Sequence, residues 1–287
     1  MKKAMIATFS QSGSTNKIAD QIEKGITSGE WDIDRINIGQ NSNTDVSGYD
    51  LVGIGSPTYF FNPPFIVQDF VNELKGLKNK PTFVFVLHGT YVGDCGNWIR
   101  RTLKMKEAKD YGYFTSYGVD YWMGYIKRGT MFSPDSPTKK ELHSAEEFGK
   151  SVINSFSEQQ QNKIAPFDPP TPFVYRIERL LVARSSVKSF YYKTFTVNSD
   201  CNNCGICVEK CPVNNITQQE DGTLKWDSNC QLCATCEMNC PKDAIRSSLD
   251  WKTMDPFMNY NIRISKKKKI PFVHVKHTHG KTQLVEN

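Results

Sequence analysis

Residues 4–26 read AMIATFSQSGSTNKIADQIEKGI: an apolar run at Ala4–Phe9, a hydroxyl-rich turn, then an amphipathic stretch over Lys17–Ile26. The same rhythm continues outward. Further apolar runs lie at Ile33–Ile38, Leu51–Gly55, Phe83–Leu87 and Phe114–Val119, and helix-like stretches at Ile66–Leu74, Trp98–Met105 and Glu141–Phe156. Continuous apolar strands separated by helices need cover on both faces, which is the signature of a parallel sheet. Five such strands predict an α/β, doubly wound, five-stranded parallel sheet. In that arrangement a ligand lies at the carboxyl ends of the strands.

The chain has 287 residues, room for about two domains. It is 23% charged, with a mean hydropathy of −0.50. No stretch approaches the ~20 apolar residues that span a bilayer, and the first residues carry no long apolar run, so the expectation is a cytoplasmic protein without a membrane span. Residues 166–172, PFDPPTP, hold four prolines and mark a boundary. The expected division is a first domain over 1–165, a Pro-rich linker and bridging helix over 166–196, a cysteine-rich domain over 197–250 and a basic C-terminal tail over 251–287. The bridging helix is read from Ile177, Leu180, Leu181 and Arg184. The tail carries 8 Lys+Arg against 2 Asp+Glu and shows little periodicity, while residues 201–250 carry 4 against 7.

Eight of the nine cysteines fall in two blocks offset by 29 residues. The first is Cys201-x2-Cys204-x2-Cys207-x3-Cys211-Pro212; the second is Cys230-x2-Cys233-x2-Cys236-x3-Cys240-Pro241. Each places three thiols on one tight loop and carries the fourth away, the spacing of two-cluster iron–sulfur proteins in which the last cysteine ligates the other cluster. One set is then Cys201, Cys204, Cys207 and Cys240, the other Cys230, Cys233, Cys236 and Cys211. Structural zinc also takes four thiolates; six thiols in two loops with two Cys-Pro endings suit cubanes better. Ile216 and Ile245 repeat as apolar cover, and Ile216–Trp226 around Asp221-Gly222 reads as a hairpin. Over about fifty residues this segment closely resembles bacterial-type ferredoxins, which implies a small α+β fold, two 4Fe–4S clusters and one-electron transfer.

In the first domain, Ser10, Gln11, Ser12, Gly13, Ser14 and Thr15 form a turn ahead of a helix, where backbone N–H groups and hydroxyls favour an anion. It lacks the dinucleotide and nucleotide-triphosphate fingerprints. The pattern resembles the phosphate loop of flavodoxins, with Ser14 where asparagine is frequent. In that family the loops holding Pro57, Thr58, Tyr59 and Phe60, and Gly89, Thr90, Tyr91 and Gly93, flank the ring of FMN. Together the two halves resemble flavodoxin–ferredoxin fusion proteins. The resemblance implies electron transfer between an external redox protein, two 4Fe–4S clusters and FMN, with no nucleic acid involved. The acidic cysteine segment suits docking to a basic surface, with salt-sensitive association. Two other readings are a flavin-dependent reductase of a small organic substrate, with Tyr91, Asp94 or His88 as proton donor, and a ferredoxin carrying a flavin-free docking domain. Cys95 is read as a packing residue, and His274, His277, His279 and Lys266–Lys269 as solvated surface.

Overall fold

The computed structural model describes residues 1–27, 30–39, 42–158, 165–170 and 172–285. The chain begins β1 (Lys2–Thr8), α1 (Ser14–Ile26), β2 (Trp31–Asn37), β3 (Leu51–Pro57), α2 (Phe65–Glu73), β4 (Pro81–His88), α3 (Cys95–Met105) and β5 (Lys109–Tyr117). There follow α4 (Met123–Ile126), β6 (Thr130–Phe132) and α5 (Lys139–Ser157). The remainder forms α6 (Phe173–Leu181), α7 (Arg184–Ser189), β7 (Thr196–Val197), α8 (Ile206–Glu209), β8 (Ile216–Gln218), β9 (Leu224–Trp226), α9 (Thr235–Met238), β10 (Ile245–Arg246), α10 (Asp255–Lys267), β11 (Phe272–Thr278) and β12 (Lys281–Leu284).

Two compact units result: Met1–Gly118 with Asp135–Arg179, and Val119–Pro134 with Leu180–Asn287. In the first, the five strands pair in parallel in the order β2-β1-β3-β4-β5. The order reverses between β1 and β3, the switch point at which doubly wound sheets take ligands. Central strands β3 and β4 are buried almost throughout, whereas edge strands β2 and β5 are mostly half-buried. Edge position explains why β5 starts at Lys109, earlier than its apolar run: its first residues alternate and need cover on one side only.

Ala4, Ile6, Phe83, Phe85 and Leu87 form one buried cluster with Ile18 and Ile22 of α1 and Val152 of α5. Thr138 and Glu141 close a reciprocal cap at the start of α5. The two helices cross at Gly25 and Gly149, where an added methyl at Gly149 would collide with the Ile22 carbonyl oxygen.

Several expectations are corrected. Residues 119–134, assigned by sequence to the first domain, fold with the second unit, because β6 pairs antiparallel with β11 some 140 residues on. The start of the Pro-rich linker is anchored: Arg100, 2% exposed in its side chain, ion-pairs with Asp110 at 2.8 Å and donates to the Ala165 and Pro166 carbonyls. Thr171 of that stretch lies outside the described residues. The bridging helix is two helices, since Ala183 takes an extended backbone and Arg184 opens the second. Leu180 is 69% exposed, and the side chains of Ile177 and Leu181 lie outside what is described. The basic segment 251–287 contains α10 and the β11–β12 hairpin. Its helical period is hidden because the buried face alternates Met258 and Ile262 with Asn261 and Ser265.

Replacing Gly149 with Val is expected to destabilise the first unit by about 2–3 kcal/mol, because backbone on both helices would have to part. A melting curve of the variant checks this, with Ala145 one turn earlier leaving the rest of the contact intact.

Candidate cofactor sites

Three loops meet at the carboxyl edge of the first unit's sheet. The first follows β1. Gly13 has φ of +84°, with open space where a Cβ would stand, so the residue is needed for its left-handed backbone. That turn brings Ser14 and Thr15, 8% and 2% exposed, into the first turn of α1. The Ser12 and Ser14 hydroxyl oxygens lie 3.3 Å apart. Ser10 Oγ is buried with no hydrogen-bond partner. A buried hydroxyl left unpaired costs about 1–3 kcal/mol, and at a helix N-terminus an anionic oxygen is the group that would satisfy it.

In the second loop, Tyr59 and Asn62 exchange backbone hydrogen bonds of 2.8 and 2.9 Å around Phe60 and Phe61, whose φ values are +47° and +66°. Two bulky residues in the left-handed region store strain of about 1–3 kcal/mol each. Phe61 is held there by its neighbours. It stacks on Tyr175 at 4.6 Å, and its carbonyl accepts the Asp94 N–H at 2.7 Å. Gly93 belongs to the third loop and has φ of +61°; a Cβ on it would lie 2.5 Å from Phe61 Cα.

The loops are also tied to one another. Tyr59 Oη donates to Gln11 Oε1 at 2.7 Å, and the Thr58 N–H donates to the Leu87 carbonyl at 2.8 Å. Tyr59 packs edge-on against Phe9, and Tyr91 edge-on against Tyr175. Pro57, Thr58, Tyr59, Phe60, Gly89, Thr90 and Tyr91 are all half-buried on this edge. The sequence reading missed Phe61 and Tyr175. An aromatic triplet closing on Asn62-Pro63 was the available signal for the first; nothing local marks the second.

Cys95 is fully buried, its Sγ 3.5 Å from the Pro57 carbonyl, and burial pushes its thiol up to about 12. Such a thiol is inert packing. Desolvation lowers His88 to about 4, against a smaller opposing pull from Glu141. Its Nδ1 is buried without a partner beside the Tyr117 ring. The Asp94 carboxylate is engaged by Arg101 at 2.6 Å and Arg179 at 3.6 Å.

The second unit repeats itself at the cysteine blocks. Asn203, Gly205 and Asn214 have left-handed backbones, as do Leu232, Ala234 and Asp243, each 29 residues on. Ile216 pairs with Trp226 across β8–β9, and Ile245 with Val197 across β10–β7. The expected hairpin is present, and Ile216 and Ile245 are 4% and 3% exposed.

Two hollows sit between the repeats. One is walled by Cys201, Cys204, Cys207 and Cys240, the other by Cys211, Cys230, Cys233 and Cys236. Backbone N–H groups of Asn215 and Ala244 donate to Cys211 Sγ and Cys240 Sγ at 3.2 Å, and Leu232 to Cys230 Sγ at 3.4 Å. Burial pushes the Cys230 thiol up to about 12 and raises those of Cys207, Cys233 and Cys236. Thiolates in such places require a cationic core among them. Four thiols thus line each hollow, three from one block and the fourth from the other.

Residues 5–121 match the family model described as a flavodoxin domain, and residues 200–246 match that of a 4Fe-4S dicluster domain. Among solved structures, a flavodoxin from the domain Archaea is 17% identical over 54% of this chain and 99% of its own, with a TM-score of 0.43. Oxidised Flavodoxin 1 from Bacillus cereus is 17% identical over 53% and 98%, at 0.43. A Streptococcus pneumonia flavodoxin is 18% identical over 53% and 99%, also at 0.43. No curated protein matches the chain.

His88 supplies a pH test. Unfolded, its ring takes a proton near pH 6.5; folded, only near 4. Stability of the first unit is therefore complete above 6.5 and falls as acid crosses that window, by at most about 3 kcal/mol. His88→Asn is expected to flatten this loss in denaturant midpoints measured from pH 7 to 4.

Proposed function

We propose that this chain, a flavodoxin domain joined to a 4Fe-4S dicluster domain, passes electrons between an external redox protein, two 4Fe–4S clusters and FMN carried on one polypeptide. The observation that carries the reading is the crossed wall of each cysteine hollow, three thiols from one block and the fourth from the other. Flavin accepts electrons singly or in pairs and cubanes move them one at a time. Joining the carriers raises the effective concentration of each for the other.

The residues have distinct tasks. Ser10 to Thr15 would hold the FMN phosphate with neutral donors, the Ser10 hydroxyl gaining the partner it lacks. Pro57 to Phe60 and Gly89 to Gly93 would flank the ring and keep water from it. The eight cysteines of the two blocks would hold the clusters. Amides of Leu232, Asn215 and Ala244 lower the negative charge density on three of the sulfurs, and the Thr235 hydroxyl does so at Cys233. All nine cysteines are unpaired as disulfides, which suits a reducing compartment such as the cytoplasm.

The reductase reading is less well supported. His88 is half-buried with its Nδ1 shut away and its pKa lowered to about 4 by desolvation, and Asp94 is held between two arginines, so neither stands ready as a proton donor. The unpaired Ser10 hydroxyl speaks against a docking domain without flavin.

Anaerobically isolated protein is expected to contain about eight iron, eight sulfide and one FMN per chain. Cys204→Ala and Cys233→Ala should each lower iron by about half, whereas one zinc per block without sulfide would end the cluster reading. Ser10→Ala should raise the FMN dissociation constant by about tenfold, the worth of a hydrogen bond to a charged group. Without flavin the same variant should melt no lower than the parent, because it removes an unsatisfied buried hydroxyl.

A further inference from the structure

The two cysteine blocks are near-copies, yet the rest of the second unit covers them unequally. Ala234 is 4% exposed and shares a buried cluster with Met123 and Ile126 of α4 and Val275 of β11, with Met238 packed against it. Glu237 is 3% exposed and ion-pairs with Lys127, whose amine also meets Asp250 at 2.8 Å. The equivalents of Ala234 and Met238 in the first block are Gly205, with open space on its side-chain side, and Glu209, exposed. Cys204 is exposed, while the other eight cysteines are buried or half-buried.

The hollow to which Cys204 belongs is closed on its far side. The Asp243 carboxylate accepts the His279 and Gly280 N–H groups at 2.6 and 3.3 Å, and a Cβ on Gly280 would lie 3.0 Å from the Cys240 carbonyl oxygen. The tip of the β11–β12 hairpin thus packs on Cys240, while Asn202, Asn203 and Cys204 in the middle of the loop Cys201–Gly205 stay exposed. Electron transfer weakens steeply with separation, so an exposed loop is where a partner comes closest.

The rim of that loop carries charge. The β8–β9 hairpin lies against Asn203: Gln218 Nε2 donates to its carbonyl at 3.5 Å, and a Cβ on Gly222 would meet its Nδ2 at 2.8 Å. The hairpin tip thereby brings exposed Glu220 and Asp221 to the loop that Asp200 begins, against Lys242 on the hollow's wall. Resting on the cluster reading above, we propose that the loop Cys201–Gly205 is the surface at which this chain exchanges electrons with its external partner, and that its acidic rim selects a positively charged one.

Inorganic oxidants of opposite charge test this. Holoprotein reduced with dithionite and desalted under nitrogen is mixed with hexaammineruthenium(III), which takes one electron and becomes ruthenium(II), or with anionic ferricyanide, which becomes ferrocyanide. Glu220→Lys should slow the cationic oxidant by about fivefold at low ionic strength and speed the anionic one, both effects fading with salt. Glu220→Gln, which removes the charge where lysine reverses it, should shift both rates in the same directions by about half as much on a logarithmic scale. Equal effects from the two variants, or none from Glu220→Lys with iron and sulfide intact, would overturn the assignment of this surface. Protein without iron and sulfide would overturn the cluster reading itself.

Discussion

The three-residue step from the third to the fourth cysteine is the constraint on which the second unit depends. It carries Cys211 and Cys240 out of their own loops, so neither block encloses a hollow alone. Each repeat must borrow a thiol from the other, and the two fold as one object or leave both sets open. The matched strand pairs Ile216–Trp226 and Ile245–Val197 follow from that exchange, since each ties the chain after one block to the chain before the other.

The first unit obeys a different constraint. A parallel sheet delivers all its strand ends to one edge, and there the backbone is least regular. Gly13, Phe60, Phe61 and Gly93 all have left-handed backbones within the three loops of that edge. Two of these are bulky aromatics, held by Tyr175 and by the close approach of Gly93. The strain is kept in place by contacts from the neighbouring loops.

Symmetry in the cysteine blocks is broken by segments with no cysteines. The short excursion between β5 and α5 and the C-terminal hairpin pair through β6 and β11, and together they bury Ala234 and brace Glu237 through Lys127. A duplicated module thereby becomes two unequal environments. Burial and solvent access are among the levers by which a protein tunes a bound cluster, and here they differ between the two blocks.

Much of this was legible in the residues themselves. Strand and helix alternation follows from hydrophobic period, and the hydroxyl-rich turn and both cysteine blocks are short local patterns whose residue types stand only a few positions apart. Tertiary structure alone decided the rest. No local pattern in residues 119–134 announces a partner at Phe272–His274, and the apolar face of α10 was concealed by Asn261 and Ser265, which are buried by packing. Tyr175 beneath Phe61, and the bareness of Cys204 beside the cover over Ala234, are likewise products of distant pairing. Local chemistry is written in spacing, whereas burial belongs to whichever remote segments come to lie against it.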